Sequence, residues 1–219
     1  MLRILIPARG GSKRIKNKNL LKVNGESLLS RAIRVSLQIT NEVYVSTDSL
    51  DIEKEAILNG AKIHKRPSIY ATDISPTKEA IVDFLNSYND TVNMVLVQCT
   101  SPFINLNHLK TSIKNLDKYS SSISVYKETP FYWEKNSNGA KPNYDPFNKP
   151  RTQDMSPRYK ETGAFYSFKV KSFVDEGVIT PSPTALVEVD LKPDIGDIFK
   201  WNEGYFEVNS YNENQLVGG

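Results

Sequence analysis

An alternation constrains this chain more than any other feature of its sequence. Short, nearly continuous apolar runs are separated by stretches of helical periodicity, and the order repeats from the first residues to about residue 126. Leu2–Pro7, then 42–46, 61–65, 92–98 and 121–126, read as strands. Between them, 27–38 carries Leu28, Leu29, Ala32, Ile33 and Val35 at helical spacing, with Ser27 as the N-cap. Leu50–Leu58 reads as a helix stopped by Gly60. Residues 75–88 place Ala80, Ile81, Phe84 and Leu85 on one helical face, and 107–116 is helical again. Strands that are apolar throughout need cover on both faces. The alternation therefore predicts a three-layer α/β fold, with a mostly parallel sheet between helices.

The pattern breaks at 127–160, a stretch rich in Pro, Asn, Lys and Tyr without clean periodicity. It also carries Phe131, Tyr132, Trp133, Tyr144 and Phe147. Aromatics at that density need burial, so the segment reads as an arm protruding from the sheet, with packing or a partner subunit to cover it. Order resumes as a strand over 163–169 and a short helix near 172–176, followed by strands near 185–189 and 205–209. The whole chain, 1–219, reads as a single domain with the arm inserted in it.

Bulk properties narrow the function. A length of 219 residues suffices for one sizeable core, and a net charge of +3 argues against bulk nucleic-acid binding. No stretch reaches membrane-spanning length, and the apolar start is too short for a signal sequence, so a cytoplasmic protein without membrane attachment is expected. Cys99 is the only cysteine and follows an apolar run, which fits a buried, inert thiol in a reducing compartment. His64 and His108 lie in no ligand-like spacing and read as structural or surface imidazoles.

Chemistry concentrates just after the first strand, in Ala8-Arg9-Gly10-Gly11-Ser12-Lys13-Arg14-Ile15-Lys16-Asn17-Lys18-Asn19. In open α/β sheets, ligands sit beyond the carboxyl ends of strands. Gly10 and Gly11 permit close backbone approach, and Arg9, Lys13, Arg14, Lys16 and Lys18 supply positive charge. Backbone N–H groups and several cations together suit a triphosphate. The loop is neither a Walker-type P-loop nor a dinucleotide fingerprint.

At this loop the sequence resembles the acylneuraminate cytidylyltransferases, the CMP-sialic acid synthetase family. The likeness continues through residues 22–29, Val45-Ser46-Thr47-Asp48, Arg66-Pro67, Ala71-Thr72-Asp73, Leu96-Val97-Gln98-Cys99-Thr100-Ser101-Pro102-Phe103 and Thr162-Gly163-Ala164-Phe165-Tyr166. The resemblance implies a Rossmann-like nucleotidyltransferase fold and a homodimer joined through the arm. It also implies transfer of CMP from CTP to the anomeric hydroxyl of a nonulosonic sugar acid. Arg9, Lys13 and Lys18 match catalytic positions on the triphosphate, and Ala8, Gly10, Gly11 and Ser12 line the same loop. Arg66 and Thr77 match positions near the cytosine and ribose. Gln98, Arg151, Gln153, Arg158 and Thr162 match the sugar-acid side. Read without the resemblance, Val45-Ser46-Thr47-Asp48 is a strand end with Asp48 or Ser49 capping the next helix.

Two departures stand out. Where the family carries an Asp-x-Asp pair for Mg²⁺, this chain has Glu207 and Asn209, still two oxygens on one strand face but with one charge fewer. Asp190, Asp194 and Asp197 form the alternative ligand set. Thr162 stands where sialate-specific members carry Asn, which opens the substrate to pseudaminate, legionaminate, a deaminated nonulosonate or an eight-carbon ulosonate. The rival readings are a 3-deoxy-octulosonate-type cytidylyltransferase and a catalytically impaired nucleotide-binding homologue.

Overall fold

A computed structural model describes residues 1–11, 17–71, 75–101, 104–137 and 139–189, together with the backbone of three short strands beyond them. The elements in chain order are β1 (Leu2–Pro7), β2 (Lys22–Val23), β3 (Glu26–Ser27), α1 (Leu28–Leu37), β4 (Val43–Thr47), α2 (Leu50–Leu58) and β5 (Lys62–Lys65). Then come α3 (Thr77–Ser87), β6 (Asn93–Val97), α4 (Leu106–Asn115), β7 (Ser121–Glu128), β8 (Trp133–Asn136) and β9 (Gly139–Pro142). The last are β10 (Arg158–Lys169), α5 (Val170–Glu176), β11 (Thr184–Glu188), β12 (Ile198–Trp201), β13 (Gly204–Glu207) and β14 (Val217–Gly218).

Seven strands form one sheet in the order β11-β7-β10-β6-β1-β4-β5. β10 runs antiparallel to both neighbours, β6 and β7, and the other pairs are parallel. The expected mostly parallel sheet is present, and helices cover both of its faces. The alternation of side chains along each strand decides which helix covers which face. Ile4 and Ile6, Val43 and Val45, and Val95 and Val97 pack with Leu29 and Ile33 of α1, Ile52 and Ala56 of α2 and Leu109 of α4. The intervening Leu5, Tyr44, Met94 and Leu96 pack with Ile81 and Phe84 of α3 and Phe173 of α5.

Local chemistry sets the boundaries. Ser27 caps α1 as expected, accepting from the Ser30 N–H at 2.9 Å, while its hydroxyl donates to Glu55 at 2.7 Å. α3 starts at Thr77, two residues later than the periodicity indicates, because Pro76 occupies the cap and biases Ser75 away from helical backbone. β10 starts at Arg158, five residues before the expected strand. Its first residues pair with the end of β7, and its register shifts between Glu161 and Tyr166. Gly163, at φ +68°, lies within that irregularity rather than at a strand start.

Between β7 and β10 lies the hairpin β8–β9, which pairs Trp133 with Pro142 and Asn136 with Gly139. Tyr144 packs edge-on to Phe131 at 5.0 Å, and Lys149 Nζ lies 4.5 Å from the centre of the Phe131 ring. β12, β13 and β14 form a separate three-stranded sheet. Among the described residues, no helix is long and apolar enough to cross a membrane.

Candidate functional site

The carboxyl ends of β1, β4, β5 and β6 lie side by side, since β4–β5, β1–β4 and β1–β6 are all parallel neighbours. The register aligns Pro7 with Ser46, and Ser46 with His64. Four loops therefore leave the sheet at one edge: Ala8 onward, Asp48-Ser49, Arg66 onward and Gln98 onward.

Ser46 sits at the centre of this edge and is fully buried. Its carbonyl accepts from the Ala8 N–H at 2.9 Å and from Arg66 Nη2 at 2.8 Å. Its hydroxyl oxygen accepts from Arg66 Nε at 3.0 Å. One residue thus ties the start of the basic loop to a buried guanidinium. Burial lowers the Arg66 pKa from its ordinary value; Asp48 opposes this, while Arg9 adds to it from the basic loop. These mutual electrostatic effects place Arg9, Asp48 and Arg66 in one neighbourhood.

Asp48 does not cap α2. The cap position is held by Ser49, whose side chain makes no capping hydrogen bond. The Asp48 carboxylate instead accepts from the Gly10 N–H at 2.8 Å. A Cβ at Gly10 would lie 3.1 Å from Ser49 Cβ, so this residue allows the basic loop to approach the β4 end closely. Of the two residues expected to cap α2, Ser49 takes the position and Asp48 turns to Gly10.

The far end of the basic loop is held by Asn19, which is buried. Its Nδ2 donates to the Arg9 carbonyl at 3.1 Å, and Cys99 Sγ donates to its Oδ1 at 3.3 Å. Burial pushes the Cys99 thiol up to about 12, so it stays protonated and serves as a weak donor, not a nucleophile. Lys18 lies close enough to oppose that rise. Asn19, Ser46 and Asp48 are the supporting residues that the sequence reading did not assign. Their partners are 10 to 80 positions away, which no local pattern reveals.

On the β6 side, Gln98 is half-buried, and its N–H donates to the Ala164 carbonyl at 2.9 Å. This sets Gln98 against the irregular segment of β10. There the Thr162 hydroxyl donates to Ser124 Oγ at 2.7 Å and accepts from the Ala164 N–H at 3.4 Å. Tyr166 donates its hydroxyl to Glu161. Burial, followed by that carboxylate, pushes the Tyr166 phenol pKa well up.

Ala8, Arg9, Gly10, Gly11, Lys18, Arg66, Gln98 and Thr162 sit on the loops and strand ends just described. Thr77 is the first residue of α3. Arg151 and Gln153 are exposed in the segment between β9 and β10. Arg158 is committed to the segment before it: its guanidinium lies 3.8 Å over the Tyr132 ring and 3.9 Å from Glu134. Ser12, Lys13, Asn209, Asp190, Asp194 and Asp197 lie outside the described residues, as does the side chain of Glu207, which ends β13. Among the described residues, no group of three or more His, Cys, Asp and Glu side chains is gathered as for a metal ion.

Comparison with known proteins meets this geometry. Residues 3–176 match the family described as Cytidylyltransferase. The chain is 33% identical over 199 residues to N-acylneuraminate cytidylyltransferase A of Danio rerio, covering 87% of this chain and 46% of that protein. It is 30% identical over 190 residues to pseudaminic acid cytidylyltransferase of Campylobacter jejuni strain 81-176, covering 80% of this chain and 81% of that protein. The chain spans about half the length of the N-acylneuraminate cytidylyltransferases it matches in Danio rerio and Oncorhynchus mykiss. Its fold is similar to a solved CMP:2-keto-3-deoxy-manno-octonic acid synthetase complexed with CTP, with a TM-score of 0.63 at 17% identity, covering 88% of this chain and 91% of that one.

Proposed function

This chain belongs to the cytidylyltransferase family, and we propose that it transfers CMP from CTP to the anomeric hydroxyl of a nonulosonic sugar acid, releasing pyrophosphate. The observation that carries this is the junction at Ser46, where the glycine-rich basic loop and the buried Arg66 guanidinium are fixed to one residue. A fixed cation at the end of a parallel sheet suits a nucleotide. The relatives that act on N-acylneuraminate and pseudaminate supply the sugar class.

The reaction is an in-line displacement. The anomeric oxygen bonds to the α-phosphorus, the bond from that phosphorus to the bridging oxygen breaks, and pyrophosphate leaves with the electron pair. The hydroxyl proton passes to solvent. Arg9, Lys13 and Lys18 balance the charge that develops on the leaving group. The backbone at Gly10 and Gly11 lets the loop approach the phosphates closely, with the Gly10 N–H held by Asp48, and Ala8 and Ser12 belong to the same loop. Arg66 and Thr77 hold the nucleoside. Gln98, with the backbone around Gly163, faces the sugar acid, and Arg151 and Gln153 reach it from the segment before β10, which Arg158 steadies by stacking on Tyr132.

Glu207 and Asn209, at the positions that match the family's metal pair, carry side-chain oxygens that suit a hard divalent cation. These two residues would hold Mg²⁺, which supplies charge neutralisation on the phosphates when bound. A homodimer is part of the same reading. Trp133 and Phe147 are 58% and 98% exposed on the arm and call for a cover. The lone protonated thiol fits a cytoplasmic protein.

The test is pyrophosphate release from CTP with Mg²⁺ across N-acetylneuraminate, pseudaminate, legionaminate and 3-deoxy-octulosonate. Release with CTP and a nine-carbon acid is expected. Release with the eight-carbon acid alone would move the substrate to the octulosonate class. CTP binding with no turnover on any acid would overturn the enzymatic reading in favour of an impaired homologue.

A further inference from the structure

Ser46 and His64 are register partners on β4 and β5, and His64 Nδ1 lies 3.0 Å from Ser46 Oγ. His64 Nε2 lies 3.2 Å from Asp83 Oδ2 on α3. Arg66 Nε donates to the same Ser46 oxygen at 3.0 Å. Ser46, His64 and Arg66 are 0%, 6% and 9% exposed, so water does not replace these contacts.

The order of protons along this chain follows from the inventory of donors. A carboxylate only accepts, so the Asp83 contact requires the proton on Nε2. A neutral imidazole then presents Nδ1 as an acceptor, and the Ser46 hydroxyl donates to it. That rotor position turns the remaining lone pairs of the Ser46 oxygen towards Arg66. The protein thereby sets a hydroxyl that would otherwise rotate.

We propose that His64 and Ser46 are positioning residues for Arg66. The neutral Nε2–H imidazole, anchored by Asp83, locks the Ser46 hydroxyl so that its oxygen holds the guanidinium where the nucleotide meets it. The proposal rests on the nucleotide reading only in naming CTP as the ligand of Arg66.

Protonation breaks the chain at a defined atom. A hydrogen on Nδ1 faces the Ser46 hydroxyl, which must turn away and lose its acceptor. The groups around the ring are Asp83 and the Phe84 ring from α3, Ser46 from β4 and Arg66 from the end of β5. Asp83 favours the imidazolium, while burial, the largest effect, and Arg66 oppose it. The relay is therefore intact at neutral pH and opens on acidification.

The test pairs nitrogen NMR of the histidines with calorimetric CTP binding across the histidine titration range. His108, the only other histidine, is removed in an H108Q variant to assign the signals. The expected result is an Nε2–H tautomer for His64, and CTP affinity that falls on acidification with the midpoint of the His64 titration. Ser46→Ala should weaken CTP binding on the order of tenfold at neutral pH. It should also lose the His64-linked part of the pH dependence; titration of CTP itself is common to both proteins and cancels. An Nδ1–H tautomer, or an unchanged pH dependence in S46A, would overturn the proposal. Should S46A fail to fold, Asp83→Ala at the half-buried end of the chain should release the tautomer and give the same loss. A wild-type protein that binds no CTP would overturn the nucleotide reading, whereas the Nε2–H tautomer would still support the hydrogen-bond chain.

Discussion

At the residue scale, Asp48 and His64 carry the consequences that a local reading does not reach. Asp48 accepts from the Gly10 N–H and also offsets the cost of burying Arg66. Charge-assisted hydrogen bonds of this kind contribute roughly 1.5–3 kcal/mol. Asp48→Ala should therefore lower thermal stability and, by loosening the basic loop, raise KM for CTP on the order of tenfold. Asp48→Asn keeps an acceptor for Gly10 and should fall between the two; steady-state kinetics with melting curves separates these outcomes. His64 adds a pH term to stability. Its pKa is lowered in the folded state, chiefly by burial, so the unfolded chain binds the extra proton more readily. Stability from this group is fully present above its ordinary value of 6.5 and is lost as pH falls below that value. Denaturant unfolding should show stability falling from neutral to mildly acidic pH, and His64→Phe should flatten that slope.

At the scale of elements, the alternation of apolar runs located β1, β4, β5, β6 and the helices between them, because each strand's character is written in consecutive residues. The ends were less legible. β10 reads from Arg158 only once β7 is there to pair with it, and the β8–β9 hairpin has none of the apolar alternation that marks a buried strand. The basic loop was legible as a candidate site from its two glycines, its cations and its place after the first strand. Its fastening by Asn19, Ser46 and Asp48 was not, since each contact joins residues that the sheet brings together. The irregular turn in β10 gives a prediction at this scale. Gly163 holds φ +68°, and among the described residues a Cβ there would meet only the Tyr166 hydroxyl, at 3.7 Å. Space is available, so the cost of Gly163→Ala is the left-handed backbone, roughly 1–2 kcal/mol. The melting temperature should fall accordingly. Because Ala164 accepts from the Gln98 N–H, KM for the sugar acid should rise while KM for CTP changes little.

At the scale of the whole molecule, one side chain reports on both the core and the site. Cys99 is the only thiol in the chain, is 1% exposed and packs within the larger apolar cluster. Its bond to Asn19 links that cluster to the carbonyl of Arg9 in the basic loop. With its pKa pushed to about 12, almost none of the thiol is ionised near neutrality, and burial denies access to a reagent. Alkylation must therefore wait for an opening of the structure. Labelling in native buffer should be slow, and it should accelerate with denaturant along the same curve as global unfolding. CTP bound across the basic loop, whose Arg9 carbonyl Asn19 holds, should slow labelling further, by the factor expected for a ligand that binds only the closed state. The same thiol links stability to alkaline pH. Its folded pKa lies above its ordinary value of 9, so its contribution is complete below 9 and declines as pH rises through the interval up to about 12. Fast labelling of the native protein, indifferent to CTP, would show that the β6 end opens independently of the loop it is fastened to. The strand-end cluster would then lack the rigidity on which the placement of Arg66 depends.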